Sequence, residues 1–119
     1  MRGFGELEAA IMERLWSWGR SALVREVLDD LRNDRDLAYT TVKTVMDNLY
    51  RKGWLTREPE GRTYRYRPVA TRQDYNAELM REVLARSGDQ AGTLLRFVEN
   101  VTPEEAAAIR RALRSRGSG

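Results

Sequence analysis

Thr40, Thr41, Lys43, Thr44 and Asn48 lie close together in a chain that has no histidine and no cysteine. The chemistry open to such a set is recognition. A threonine hydroxyl donates and accepts hydrogen bonds, and its methyl can touch a thymine methyl. The Asn48 amide can pair with adenine, and a cation meets the acceptors of a base edge or a phosphate. Tyr39, Arg51 and Lys52 flank the set and suit phosphate or sugar, contacts that establish register rather than sequence preference. The chemistry excluded is as informative. Without histidine and cysteine there is no Cys/His zinc site, no disulfide and no His- or Cys-based triad. No segment has calcium-loop or phosphate-loop spacing, and no pair of carboxylates falls in a plausible cleft. Neither an enzyme nor a cofactor or metal is expected.

Charge points to the same stretch. The net charge is only +3, but residues 38–68 carry Lys43, Arg51, Lys52, Arg57, Arg62, Arg65 and Arg67 against Asp47, Glu58 and Glu60. Residues 1–37 are slightly acidic and residues 69–119 nearly balanced. A polyanion would dock on the middle stretch. Taken alone, the same charge also describes an ordinary solvated basic surface.

The elements that must position these side chains follow from periodicity. Leu7, Ile11 and Leu15 mark a first helix over about residues 6–17, closed by Gly19. Ser21 is a candidate cap for a second helix over 22–34, with Val24, Val27, Leu28 and Leu31 inward. Val42, Val45, Met46 and Leu49 give a third helix from Thr40 to Lys52, closed by Gly53. The period then changes. Residues 54–58 form a strand, Pro59–Arg62 a turn, and Thr63–Val69 a second strand in which rings alternate with arginines, together a β-hairpin. A helix over 71–86 opens at Thr71 with Asp74 in the capping-box position, a short helix covers 90–99, and Thr102-Pro103-Glu104-Glu105 starts the last.

The third helix is therefore two-faced. Its apolar side packs on the first two helices, and its other side shows Thr40, Thr41, Lys43, Thr44, Asp47, Asn48 and Arg51. Residues near the start of such a helix face the bases. Arg57, Arg62 and Arg65 on the hairpin would touch the adjacent DNA backbone, Arg62 at or beside the tip. Asp47 would sit near phosphates, which an i,i+4 pair with Lys43 or Arg51 would offset. At least one of Tyr64 and Tyr66 should pack inward, and Glu58 and Glu60 offer the arginines partners across the ribbon. The competing reading is a winged-helix protein-protein interaction module that does not bind DNA. Its mark would be an apolar exposed face on the third helix, and that face is polar here.

GELEAAIMERLW, REVLDDL, YTTVKTVMDNLYRKGWLTRE with GRTYRYRPV, and LLRFVENVTPEEAAAIRRAL together resemble the BlaI/MecI-type penicillinase repressors over nearly the whole chain. The resemblance implies a mainly α fold with a small β-hairpin: a winged helix-turn-helix domain and a three-helix C-terminal dimerisation domain. It also implies a repressor of β-lactamase or related genes that binds inverted-repeat operators and is released when a membrane sensor protease triggers its cleavage. The bond cleaved in the staphylococcal type is Asn-Phe; the corresponding position is Arg96-Phe97, which keeps the phenylalanine only. Copper-responsive relatives carry C-terminal cysteines, and this chain has none. Leu23 stands where many relatives place a threonine cap.

The expected division is 1–70 for the DNA-binding domain and 71–119 for the helical one. The second segment is short for an independent core, so Leu79, Val83, Leu84, Leu94, Leu95, Phe97, Val98, Ile109 and Leu113 are expected to be covered by a second copy. A two-fold dimer would place two recognition helices about 34 Å apart on a palindromic duplex. No apolar run approaches the ~18 residues a membrane span requires. Glu6, Glu8 and Glu13 interrupt any apolar leader, so a cytoplasmic protein is expected.

Overall fold

The computed structural model describes residues 3–118. In chain order the elements are α1 (Glu6–Trp18), β1 (Ala22–Leu23), α2 (Val24–Leu31), α3 (Tyr39–Arg51), β2 (Leu55–Glu60), β3 (Thr63–Pro68), α4 (Arg72–Ala85), α5 (Gln90–Glu99) and α6 (Pro103–Ser118). They fall into two compact units that divide between Leu79 and Met80.

The first unit has a dry core. Ile11, Met12 and Leu15 of α1, Val27, Leu28 and Leu31 of α2, and Val42, Met46 and Leu49 of α3 are all fully buried. The i, i+3, i+4 spacing puts each trio on one side of its helix, so burying that side leaves the other free. Tyr66 and Leu55 close the core from the sheet.

That sheet has three antiparallel strands in the order β1-β3-β2, one more than the expected hairpin. Ala22 pairs with Tyr66 and Leu23 with Arg65, so the residues expected to begin the second helix are drawn into the sheet instead. Ser21 consequently does not cap α2. Leu23 takes the N-cap position without a side-chain acceptor, and the Glu26 carboxylate accepts from the Leu23 N–H at 2.9 Å, the half of a capping box that the third helical residue supplies. The helix stops at Leu31, where the following turn hydrogen-bonds back to the Asp30 and Leu31 carbonyls. On the other side, β2 runs through Pro59 to Glu60 rather than ending before the proline. It is an edge strand, where a missing N–H costs no ladder bond. The turn shrinks to Gly61-Arg62, with Gly61 at φ 63, as a hairpin turn with positive φ at its first position requires.

The first unit extends past Ala70 into α4. Tyr75 is buried, its hydroxyl accepts from the Phe4 N–H at 2.7 Å, and its ring stacks on Phe4 with centroids 4.1 Å apart. Trp54 meets both rings edge-on. Trp16 donates to the Ala70 carbonyl at 2.9 Å, and Arg72 pairs with Glu13 at 2.8 Å. These contacts carry the compact unit beyond the boundary read from the sequence.

In the second unit the helix starts are as the sequence reads. Thr102 and Glu105 exchange side-chain-to-backbone hydrogen bonds at 2.8 and 3.1 Å, and Asp89 accepts from the Gly92 N–H at 2.9 Å. At the head of α4, Thr71 and Asp74 form the same reciprocal pair, with Asp74 N–H donating to the Thr71 hydroxyl at 3.0 Å. Among the described residues no helix is long and apolar enough to cross a membrane.

Candidate nucleic-acid interface

The candidate interface is built on α3, and α3 is firmly held. Val42, Met46 and Leu49 fix its inner side. At its C-terminus the Gly53 N–H bonds to the Tyr50 carbonyl at 3.1 Å and the Trp54 N–H to the Leu49 carbonyl at 3.0 Å. Gly53 sits at φ 88, so this is a Schellman stop that needs glycine. The outer side is then displayed. Thr40, Thr41, Lys43 and Thr44 are all exposed, and neither the sheet nor α1 or α2 covers them. Asn48 is half-buried, and its amide oxygen accepts from Arg51, so one arm of a bidentate adenine contact is already engaged.

Asp47 is the acidic exception on this face. Lys43 donates to it at 2.7 Å, which is the i,i+4 pair expected. Two further partners come from the sheet, the Arg57 guanidinium at 3.1 Å and the Tyr66 hydroxyl. Burial alone would raise the Asp47 carboxyl, but the Lys43 and Tyr66 hydrogen bonds and the charges of Lys43 and Arg57 hold it below its ordinary value. Tyr66 moves the other way. Burial first, then its bond to the Asp47 carboxylate, pushes its hydroxyl up to about 12.

The basic side chains of the middle stretch divide by strand alternation. Arg57 and Tyr66 are paired across β2 and β3 and share the face turned to the helices. The Arg57 guanidinium lies 4.1 Å from both the Tyr50 and the Tyr64 ring centroids. Arg65, on the opposite face, bonds to Glu60 at 2.7 Å, to Glu26 at 3.4 Å and to the Ser21 carbonyl. Both were expected on the DNA backbone, and both are engaged within the protein. Lys52 turns toward α1 and pairs with Glu8 at 2.7 Å. Tyr39 lies half-buried against the core, with the exposed Arg25 guanidinium 5.6 Å from its ring. Arg51 and Arg62 are exposed, and Arg62 and Arg67 make no ion pair among the described residues. Arg25 was absent from the sequence reading, and Arg67 entered it only as one of the basic residues lining the ribbon. Arg25 is foreshadowed only by its place on the polar side of α2, and Arg67 by its alternation with Tyr66.

The second unit presents a different surface. No residue of α5 is buried. Val83, Leu94, Leu95, Phe97, Val98 and Leu113 are about half exposed or more, while Leu84 and Ile109 are partly covered. Leu79, expected with them, is partly covered and belongs to the first unit. Arg96 and Phe97 lie inside α5, one turn before its end.

Three helices, a three-stranded sheet and a polar outward face on the third helix define a winged helix-turn-helix domain. Comparison with known proteins agrees. The model of the penicillinase repressor family matches residues 4–115. The transcriptional regulator BlaI of Mycobacterium tuberculosis is 44% identical over 112 residues, 92% of this chain and 81% of that protein. Among solved structures, the DNA-binding domain of the repressor BlaI matches at TM-score 0.52 and 26% identity, covering 63% of this chain and 94% of that one. Bacillus licheniformis BlaI, solved as a monomeric form in complex with the blaP half-operator, matches at TM-score 0.51 and 26% identity, covering 62% of this chain and 89% of that one. The chain belongs to the penicillinase repressor family.

Proposed function

We propose that this chain is a transcriptional repressor that binds DNA as a homodimer on inverted-repeat operators. One observation carries the reading: α3 buries Val42, Met46 and Leu49, keeps Val45 partly covered, and displays Thr40, Thr41, Lys43 and Thr44 to solvent. Those four groups face base edges, Asn48 through its remaining amide donors. Arg25, Arg51, Arg62 and Arg67 face phosphates, with Tyr39 beside Arg25. The polar outer face speaks against a module that binds only protein.

The second unit supplies the dimer. Its exposed Leu94, Leu95, Phe97 and Val98 are the kind of apolar surface a second copy covers. The relatives' names support β-lactamase or related cell-envelope-stress genes as the targets. Relief comes through a membrane sensor protease or another signal. Cleavage at Arg96-Phe97 requires α5 to unwind first, since an extended segment is what a protease accepts.

Selection from a random-sequence duplex library tests this reading. Enrichment of a palindrome, with affinity falling steeply as salt rises, is the expected outcome. Enrichment of nothing, or binding indifferent to salt, would contradict it.

A further inference from the structure

The Asp47 carboxylate sits where a phosphate-facing surface should not want one. Its side chain is only 15% exposed, and both oxygens are used. Oδ2 accepts from Lys43 Nζ at 2.7 Å, and Oδ1 accepts from Arg57 at 3.1 Å and from the Tyr66 hydroxyl. These partners come from separate elements: Lys43 is one turn earlier on α3, Arg57 is on β2, and Tyr66 is on β3. Tyr66 is anchored because its ring is 1% exposed in the core. Arg57 is anchored because its guanidinium lies between the Tyr50 and Tyr64 rings. Among the described residues Asp47 is thus the one side chain that ties the helix to both strands of the hairpin through charge-assisted hydrogen bonds, among the strongest available to a side chain. Lys43 is held rather than consumed. One of its donors goes to Asp47, and the ammonium stays accessible with its side chain 47% exposed.

We propose that Asp47 is a positioning residue for DNA recognition. It locks the hairpin to α3 through Tyr66 and Arg57, and it points the Lys43 ammonium along the helix so that its free donors meet base edges in one geometry. The inference rests on α3 being the helix that enters the groove. Its consequence runs against simple electrostatics. Removing a negative charge beside DNA should tighten binding to every sequence, whereas loss of a positioning group should weaken binding to the right sequence alone.

The test compares the full-length chain with Asp47→Asn and Tyr66→Phe. The probes are the duplex that the wild-type chain enriches from a random library and a shuffled duplex of the same composition. For Asp47→Asn the ratio of the two affinities should fall about tenfold or more, with shuffled-duplex binding unchanged or tighter. The slope of log affinity against log salt should steepen, because a negative charge near the phosphates has gone. Tyr66→Phe keeps the ring in the core and Lys43 on Asp47, so its ratio should fall with no change in slope. A role in stability alone would lower the melting temperature and leave both ratios intact. An unchanged ratio in either variant overturns the proposal, as does equal tightening on both duplexes. Should Asp47→Asn fail to fold, Tyr66→Phe decides the matter. A wild-type chain that enriches no duplex defeats the DNA reading and the proposal with it, whereas a variant that keeps its discrimination defeats the proposal alone.

Discussion

At Thr44 the distinction between reading and gripping becomes concrete. Thr44 is exposed on the outer side of α3, where on the proposed reading a base edge uses both its hydroxyl and its methyl. Thr44→Ala should therefore relax preference at one operator position by about 1–3 kcal/mol and spare the others, as competition with singly substituted duplexes would reveal. Arg62 is exposed at the hairpin tip, and on the proposed reading it supplies charge without sequence information. Arg62→Ala should weaken all sequences alike and reduce the salt slope by about 0.9; a loss confined to one sequence would show that Arg62 reads bases. Titration carries a signature too. Glu8, Glu26 and Asp47 all have carboxyls lowered from their ordinary values of 4.5, 4.5 and 3.8. A depressed folded-state pKa adds stability above the unfolded value and loses it as pH falls through the folded one, so melting temperature should hold near neutrality and drop below about pH 4. Tyr66 has the opposite sign. Raised from 10.0 to about 12, it withdraws stability as pH climbs across that interval, and Tyr66→Phe should remove that alkaline slope.

Among the elements, α3 shows most clearly what a sequence discloses. Its inner trio, its polar outer side and its glycine stop are all local patterns, readable because helical period and αL chemistry act within a few residues. Gly53→Ala should cost about 1 kcal/mol or more, since alanine at φ 88 is strained, and Leu49→Ala should cost about 2–5 kcal/mol for the cavity it leaves; chemical denaturation would measure both. What stayed hidden depends on residues far apart in the chain. β1 is two residues long, and its apolar Ala22-Leu23 carries no alternation, so only β3 alongside makes it a strand. The shift of the α2 N-cap from Ser21 to Leu23 follows from that same pairing. The i,i+4 bond of Asp47 to Lys43 was legible, whereas its bonds to Arg57 and Tyr66 were not, because hairpin and helix meet only in the fold. Arg57 and Arg65 were expected on DNA because charge is visible in a sequence; Glu60 was legible as a partner across the ribbon, whereas Asp47 for Arg57 and Glu26 for Arg65 were not.

For the whole molecule, on the proposed reading, the two units divide the work. One has a complete core and a polar outer face on α3; the other, made of the end of α4 with α5 and α6, has a largely uncovered apolar surface. In the proposed dimer, Phe97→Glu or Leu94→Glu would bury a charge at the interface, and sedimentation should shift toward the monomer while the first unit stays folded. Affinity for a full palindrome should then fall toward that for a half-site, since two linked heads gain from effective concentration and single ones do not. All of this depends on the outer side of α3 being the surface that meets DNA. The most direct measurement is chemical-shift mapping of the full chain as its enriched duplex is added. Shifts concentrated on Thr40 to Thr44, with Arg62 beside them, are predicted. Shifts confined to the second unit, with Thr40, Lys43 and Thr44 unmoved, would contradict the account.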